Sequence, residues 1–204
     1  MKEKYVDDIS EVKDILHRST RTITLNGLSG ISAGLIALMG AYVAKLYVFN
    51  NQSFISNLPS ELTTESQFKL IIISLCTFLA AASLAFFITK RTTKEDKRTN
   101  MSSQSKKLLY HLLIPLLTGG VICILLISMN LVQLIPGMSL SFYGIALIST
   151  DKYTFSDLNK LGLAQIILGI LAVSFLKYGM VLWMTGFGIL HIVYGLFIQY
   201  GAKS

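Results

Sequence analysis

Charge is scarce in this chain. Only 14% of its 204 residues are Asp, Glu, Lys or Arg, against about 25% in an ordinary soluble domain. With 52% hydrophobic residues, it has too little polar surface to face water on all sides, which excludes a soluble globule. Acid is the rarer sign, 11 residues against 18 basic ones. No Asp or Glu stands deep inside an apolar stretch, which argues against the carboxylate relays and ion sites of many secondary transporters. The two cysteines, Cys76 and Cys123, lie in apolar runs with no Cys-x-x-Cys and no metal-ligating neighbours. They read as small buried hydrophobes, with a bridge between two spans as the alternative. Neither a phosphate loop nor a dinucleotide fingerprint occurs, nor any His/Cys/Asp/Glu cluster with metal spacing. An ATP-driven pump and a redox enzyme are therefore disfavoured, and no cofactor is expected. The surplus of base lacks the aromatic interleaving that stacks single-stranded bases, so nucleic acid is not an expected partner.

What the chain does have is long apolar runs, at about 24–48, 68–89, 108–128, 131–150, 161–177 and 181–200. A bilayer core of about 30 Å takes ~20 helical residues, and only a helix satisfies its own backbone in lipid from a single segment. The expectation is an all-α polytopic membrane protein, a bundle of six transmembrane helices in one domain. Ser128-Met129-Asn130 is the one polar break between the third and fourth runs and predicts a tight turn there. Pro136 then falls in the first turns of the fourth helix, where a missing N–H costs least; a turn at Pro136-Gly137 is the alternative. Thr64-x-x-Gln67 and Thr154-x-x-Asp157 have capping-box spacing ahead of the second and fifth helices.

Lys and Arg fix the direction. Fifteen of the 18 lie in the N-terminal tail, the 90–107 loop, the short loop holding Lys152 and Lys160, or at Lys203. Only Lys45, Lys69 and Lys177 fall on the other side, each near enough to a helix end to snorkel. The positive-inside rule then places both termini in the cytoplasm. Tyr47, Phe49, Phe68, Tyr178 and Trp183 suit an outer aromatic belt, and Tyr110, Tyr153, Phe155 and Tyr200 an inner one. The first run follows a tail of over twenty residues that carries five acids, so it reads as a retained span rather than a signal peptide. Tyr5, Ile9, Val12 and Leu16 put one apolar stripe on the tail (residues 1–22). That pattern suits a helix lying on the inner surface or a docking helix. The segment "KRTTKEDKRTNMSSQSKK", 90–107, is basic enough to favour anionic lipid.

Small residues form ladders. Gly30, Gly34, Ala37, Ala41 and Ala44 share one face of the first helix, Gly188, His191 and Gly195 one face of the sixth, and Gly162, Gln165, Gly169 and Ala172 one face of the fifth. Between helices in lipid there is no hydrophobic drive to associate, so close approach over small residues supplies the dispersion energy. The Gly-x-Ser-Gly at 27–30, with Gly34 and Gly40 after it, resembles the serine motif of the rhomboid intramembrane proteases, and His191 with Gly195 resembles their sixth-helix histidine. That resemblance implies a Ser29–His191 hydrolase. The sequence departs from the pattern: Ser29 is on the first helix rather than the fourth, and helical rise puts it about 6 Å from the depth of His191. The packing reading accounts for more of these residues. "LNGLSGISAGLIALMGAYVA", "SFYGIALIS" and "GFGILHIVYGLFI" resemble a group of small bacterial integral membrane proteins with no assigned activity. This resemblance implies a bacterial cytoplasmic membrane and carries over no catalytic residue.

Polar residues within the spans are His191, Gln165, His111, Asn130 and Tyr143, and such residues mark functional sites by default. His191 and Gln165, with Ser29, make the candidate polar site. Their bland role is an interhelical hydrogen bond, worth ~0.6 kcal/mol on average. His111 and His191 differ in depth by roughly 9 Å, too much to ligate one haem iron. The leading expectation is a non-enzymatic interaction, assembly or sensing component. It would be partnered by the bilayer and by a second copy or another membrane protein, acting through the tail and the basic loop. A small-solute transporter or channel around His191 and Gln165 is the alternative, and an intramembrane serine hydrolase using Ser29 the third reading.

Overall fold

Long apolar runs should form long helices, since in lipid a helix alone satisfies its own backbone, and they do, even across Pro115 and Gly119-Gly120. The computed structural model describes residues 27–50, 53–55, 58, 62–93, 103–154 and 158–201, with no strand among them. The helices are α1 (Gly27–Tyr47), α2 (Thr64–Thr93), α3 (Ser103–Ser128), α4 (Ile135–Thr150), α5 (Leu158–Ser174), α6 (Gly179–Trp183) and α7 (His191–Gly201). A seven-residue π segment, Met184–Leu190, joins α6 to α7, so the last three pieces run on as a single rod. Five stretches are long and apolar enough to cross a membrane: Gly27–Tyr47, Thr64–Thr89, Lys106–Ser128, Val132–Tyr153 and Leu176–Tyr200. The remaining one, Leu158–Ser174, has 17 residues and is about 25 Å long. By length and composition this is a helical membrane protein. The tail stripe at 1–22, residues 94–102 of the basic loop, Phe155 and Asp157 lie outside the described residues.

Glycine sets how the helices pair. On α1, a Cβ at Gly34 would sit 2.6 Å from the Gly188 carbonyl oxygen, and one at Gly30 would sit 3.1 Å from that of His191. Gly27 and Gly195 face each other's carbonyls across the same seam. Ala37, Ala41 and Ala44 continue the buried face of α1. The second seam joins α4 to α5, where a Cβ at Gly144 would sit 2.5 Å from the Gly162 carbonyl oxygen and one at Gly137 2.7 Å from that of Gly169. Backbones this close maximise dispersion contact where water provides no drive. α2 packs on α1, with Thr77 over Gly40, and α3 packs on α4, with Phe142 over Gly119.

α2 stands at the rim. Leu70 is buried near its start, but no residue of its most apolar 18-residue window is. That position corrects the reading of the cysteines: Cys76, on α2, is exposed and Cys123 is partly buried, both as free thiols.

One end of the bundle is held by the turn after α3. Asn130 takes φ +58, the left-handed region that Asn tolerates better than most residues. Its Oδ1 accepts hydrogen bonds from the Leu62 backbone N–H (2.9 Å) and the Gln67 Nε2 (3.0 Å). Gln133 Nε2 donates to the Leu58 carbonyl at 2.9 Å. These bonds hold the backbone at Leu58 and Leu62, whose side chains join a cluster containing Val48, Phe49, Leu70, Ile127 and Val132. Pro136 lies in the first turn of α4, so its missing N–H breaks no helical bond. The α2 cap lies one residue earlier than its spacing predicted. Thr63 Oγ1 accepts from the Ser66 N–H, while the Gln67 side chain reaches Asn130 instead of closing a capping box. At the opposite end Tyr153 stacks on His111, with ring centroids 5.3 Å apart.

Candidate functional site

Three polar side chains converge between α4, α5 and the π segment. Tyr143 precedes Gly144 on α4, Gln165 follows Gly162 by one helical turn on α5, and His191 is the first residue of α7. The glycine seam at 144/162 draws α4 and α5 together, which brings the first two side chains to one level. The π segment supplies the third component. An i→i+5 turn is wider than an α turn and interrupts the regular ladder, and here the Gly186 carbonyl accepts two side-chain donors. Gln165 Nε2 lies 2.8 Å from it and His191 Nδ1 3.0 Å.

Those distances settle the histidine tautomer. A carbonyl oxygen only accepts, so Nδ1 carries the ring proton. Nε2, 2.8 Å from Tyr143 Oη, is then the acceptor of the tyrosine O–H. Gln165 Nε2 and His191 Nδ1 are 3.4 Å apart, but both donate, so this approach is a side effect of their shared acceptor rather than a bond between them. Turning the Gln165 amide round would set its oxygen against the Gly186 oxygen, so the donor belongs where it is. The consequence falls on Oε1. Gln165 is fully buried, and among the described residues its Oε1 has no hydrogen-bond partner. Gly186 makes room for it, since a Cβ there would lie 2.6 Å from Oε1.

An aromatic wall adjoins the polar groups. Phe187 is 4.9 Å from Trp183, 5.1 Å from Tyr143 and 6.1 Å from His191, centroid to centroid. Trp183 Nε1 donates to Ser139 Oγ at 3.1 Å, pinning the wall to α4. Tyr194 and Tyr143 both pack on the cluster of Leu147, Leu158 and Leu161.

No family model, curated protein or solved structure matches this chain.

His191 and Gln165, paired on sequence grounds, do meet, through the Gly186 carbonyl. The ladder drawn through Gly188, His191 and Gly195 divides: both glycines face α1, while the histidine ring turns to Tyr143 and Gly186. The π segment between residues 188 and 191 breaks the 3.6-residue period on which that ladder rested. Ser29 is buried on α1 and is not a partner of His191, whose two ring nitrogens are bonded to Tyr143 and Gly186. A nucleophile needs its base within hydrogen-bond reach, and this arrangement does not offer His191 to Ser29. His111 belongs to the Tyr153 stack, away from this cluster. Among the described residues no three His, Cys, Asp or Glu gather as metal ligands would.

Sequence reasoning missed the Gly186 carbonyl and the Trp183–Phe187 wall. A backbone acceptor exposed by a π turn leaves no side-chain signature. The Gly186-x-Gly188 pair ahead of His191 is the only local sign of it.

Proposed function

We propose that this chain is a multi-pass membrane protein that binds and passes a small polar solute at the Tyr143–Gln165–His191 cluster. Six crossings and two cytoplasmic ends suit it best, with α5 as the sixth. A span of about 25 Å is tolerated by local thinning of the bilayer at a fraction of a kcal/mol per Å, and its glycine seam with α4 runs along most of its length. The Tyr153 end, where Lys106, Lys107, Lys152 and Lys160 lie, is then the cytoplasmic one.

The observation that carries this reading is the Gln165 carboxamide oxygen, completely buried and without a hydrogen-bond partner among the described residues. A cluster built only to tie helices together gains most when every group is paired, because an orphaned buried acceptor costs about 1–3 kcal/mol. An acceptor kept open next to a π turn, a feature frequent at functional sites, suits a group that a solute completes.

The test is flux into liposomes holding the full chain, for neutral, cationic and anionic solutes. His191→Ala frees the Tyr143 hydroxyl and one Gly186 lone pair, and is expected to lower flux of the accepted solute at least tenfold in a variant that stays monodisperse in detergent. If no solute class moves in a His191-dependent way, the proposal is wrong.

A further inference from the structure

The solute's chemistry can be narrowed from the bonds left unmade, on the basis of the transport reading above. His191 Nδ1 and Gln165 Nε2 both point at the Gly186 oxygen, and the Tyr143 hydroxyl proton points at His191 Nε2. His191 Nδ1, the Tyr143 O–H and one N–H of Gln165 Nε2 are thus engaged; what the carboxamide leaves over is its second N–H and, among the described residues, the unpartnered acceptor Oε1. Its surroundings are apolar: Leu140, itself fully buried, and Leu168 flank the same Gly186 position. Among the described residues the hydrogen bonds of the cluster's three side chains run to one another and to Gly186.

An acceptor in an apolar wall discriminates by sign and by donor count. An anion meets a carbonyl dipole with no cation to offset its desolvation, which is prohibitive for an isolated buried charge. A bare cation gains one carbonyl and the aromatic faces, with no carboxylate to balance it. A neutral solute without N–H or O–H leaves Oε1 as it found it. A site that hydrogen-bonds its substrate rejects an analogue lacking the group far more strongly than an apolar pocket rejects a methylene.

We infer that Gln165 Oε1 is the docking point for a small uncharged solute that donates N–H or O–H, of the primary carboxamide or small polyol class.

The chain has one tryptophan, and Trp183 stands one aromatic ring from His191, so binding has an optical readout independent of flux. The probes are acetamide, its donor-free analogue N,N-dimethylacetamide, and methanesulfonate, an always-ionised anion. With the full chain in liposomes, acetamide is expected to change Trp183 fluorescence saturably, and the other two are not. Acetamide flux above protein-free vesicles should exceed methanesulfonate flux at least tenfold. Gln165→Leu should reduce both acetamide signals at least tenfold, with Gln165→Met as the substitute if the branched side chain prevents folding. Equal responses to acetamide and N,N-dimethylacetamide, a preference for methanesulfonate, or acetamide signals untouched by either variant would overturn the inference while leaving transport standing. Saturable, Gln165-dependent acetamide binding without flux would uphold the docking point and remove the transport reading. Neither binding nor flux for any probe would remove both.

Discussion

Replacing Gly34 by Leu is expected to destabilise the detergent-solubilised chain by about 3 kcal/mol or more, whereas Gly120→Leu leaves stability unchanged or slightly raised. Both positions are glycines within long apolar helices, and their sequence contexts look alike. Their surroundings do not. A Cβ at Gly34 lands 2.6 Å from the Gly188 oxygen and 2.7 Å from Ile192 Cγ1, while one at Gly120 meets nothing within 4 Å. Overpacking typically costs 1–3 kcal/mol when side chains can shift. Here the obstructing atom is backbone, so α1 must move away from the last rod as a whole. The close approaches of Gly27 to Gly195 and of Gly30 to the His191 carbonyl then open as well, and with them goes dispersion energy that nothing else in lipid replaces. At Gly120 a leucine adds lipid contact and gains up to ~1 kcal/mol of helix propensity. Unfolding curves of the two variants in SDS against a mild detergent separate these outcomes. Similar midpoints for both would mean that the glycine seam does not hold the bundle.

The second large effect is at Asn130. Asn130→Ala should cost about 3 kcal/mol, by two additive routes. A left-handed backbone costs an ordinary L-residue roughly 1–2 kcal/mol, and Asn130 has φ +58. The bonds from the Leu62 N–H and Gln67 Nε2 are worth about 1 kcal/mol each. Asn130→Gly keeps the first contribution and loses only the second, so it should fall about 1 kcal/mol short of the alanine variant. The same unfolding curves measure the gap, and proteolysis within the α1–α2 connection should speed up in both variants, since that connection is tied down through Asn130. Equal losses for alanine and glycine would show that the backbone at 130 is not held left-handed.

The two regions differ in how far they were readable in advance. At Asn130 the polar break Ser128-Met129-Asn130 between two apolar runs favoured a turn there over the alternative at Pro136-Gly137, and the structure has that turn, with Pro136 in the first turn of α4. The small-residue faces of α1 and α5 were equally legible, since Gly34, Ala37, Ala41, Gly162 and Gly169 repeat with the helical period and are buried where that period puts them. The site was half legible. Buried His191 and Gln165 stood out as polar groups in lipid, but their meeting point is a main-chain oxygen. Periodicity also fails across Met184–Leu190 because a π segment does not keep 3.6 residues per turn. At α5 the expected run, 161–177, and the helix, Leu158–Ser174, both have 17 residues; the helix lies three residues earlier, ended by the irregular backbone at Phe175. The tail and half of the basic loop, which carry the expectation of an assembly or sensing role, lie outside the described residues. The geometry therefore bears on the solute-binding alternative instead.

Histidine-selective ¹⁵N solid-state NMR of the full chain in lipid bilayers tests the central claim most directly. The chain has three histidines, and His191 is assigned by its disappearance in His191→Ala. The cluster requires its ring proton on Nδ1, with Nε2 unprotonated and shifted by the Tyr143 O–H. A ring protonated on Nε2 would contradict the account.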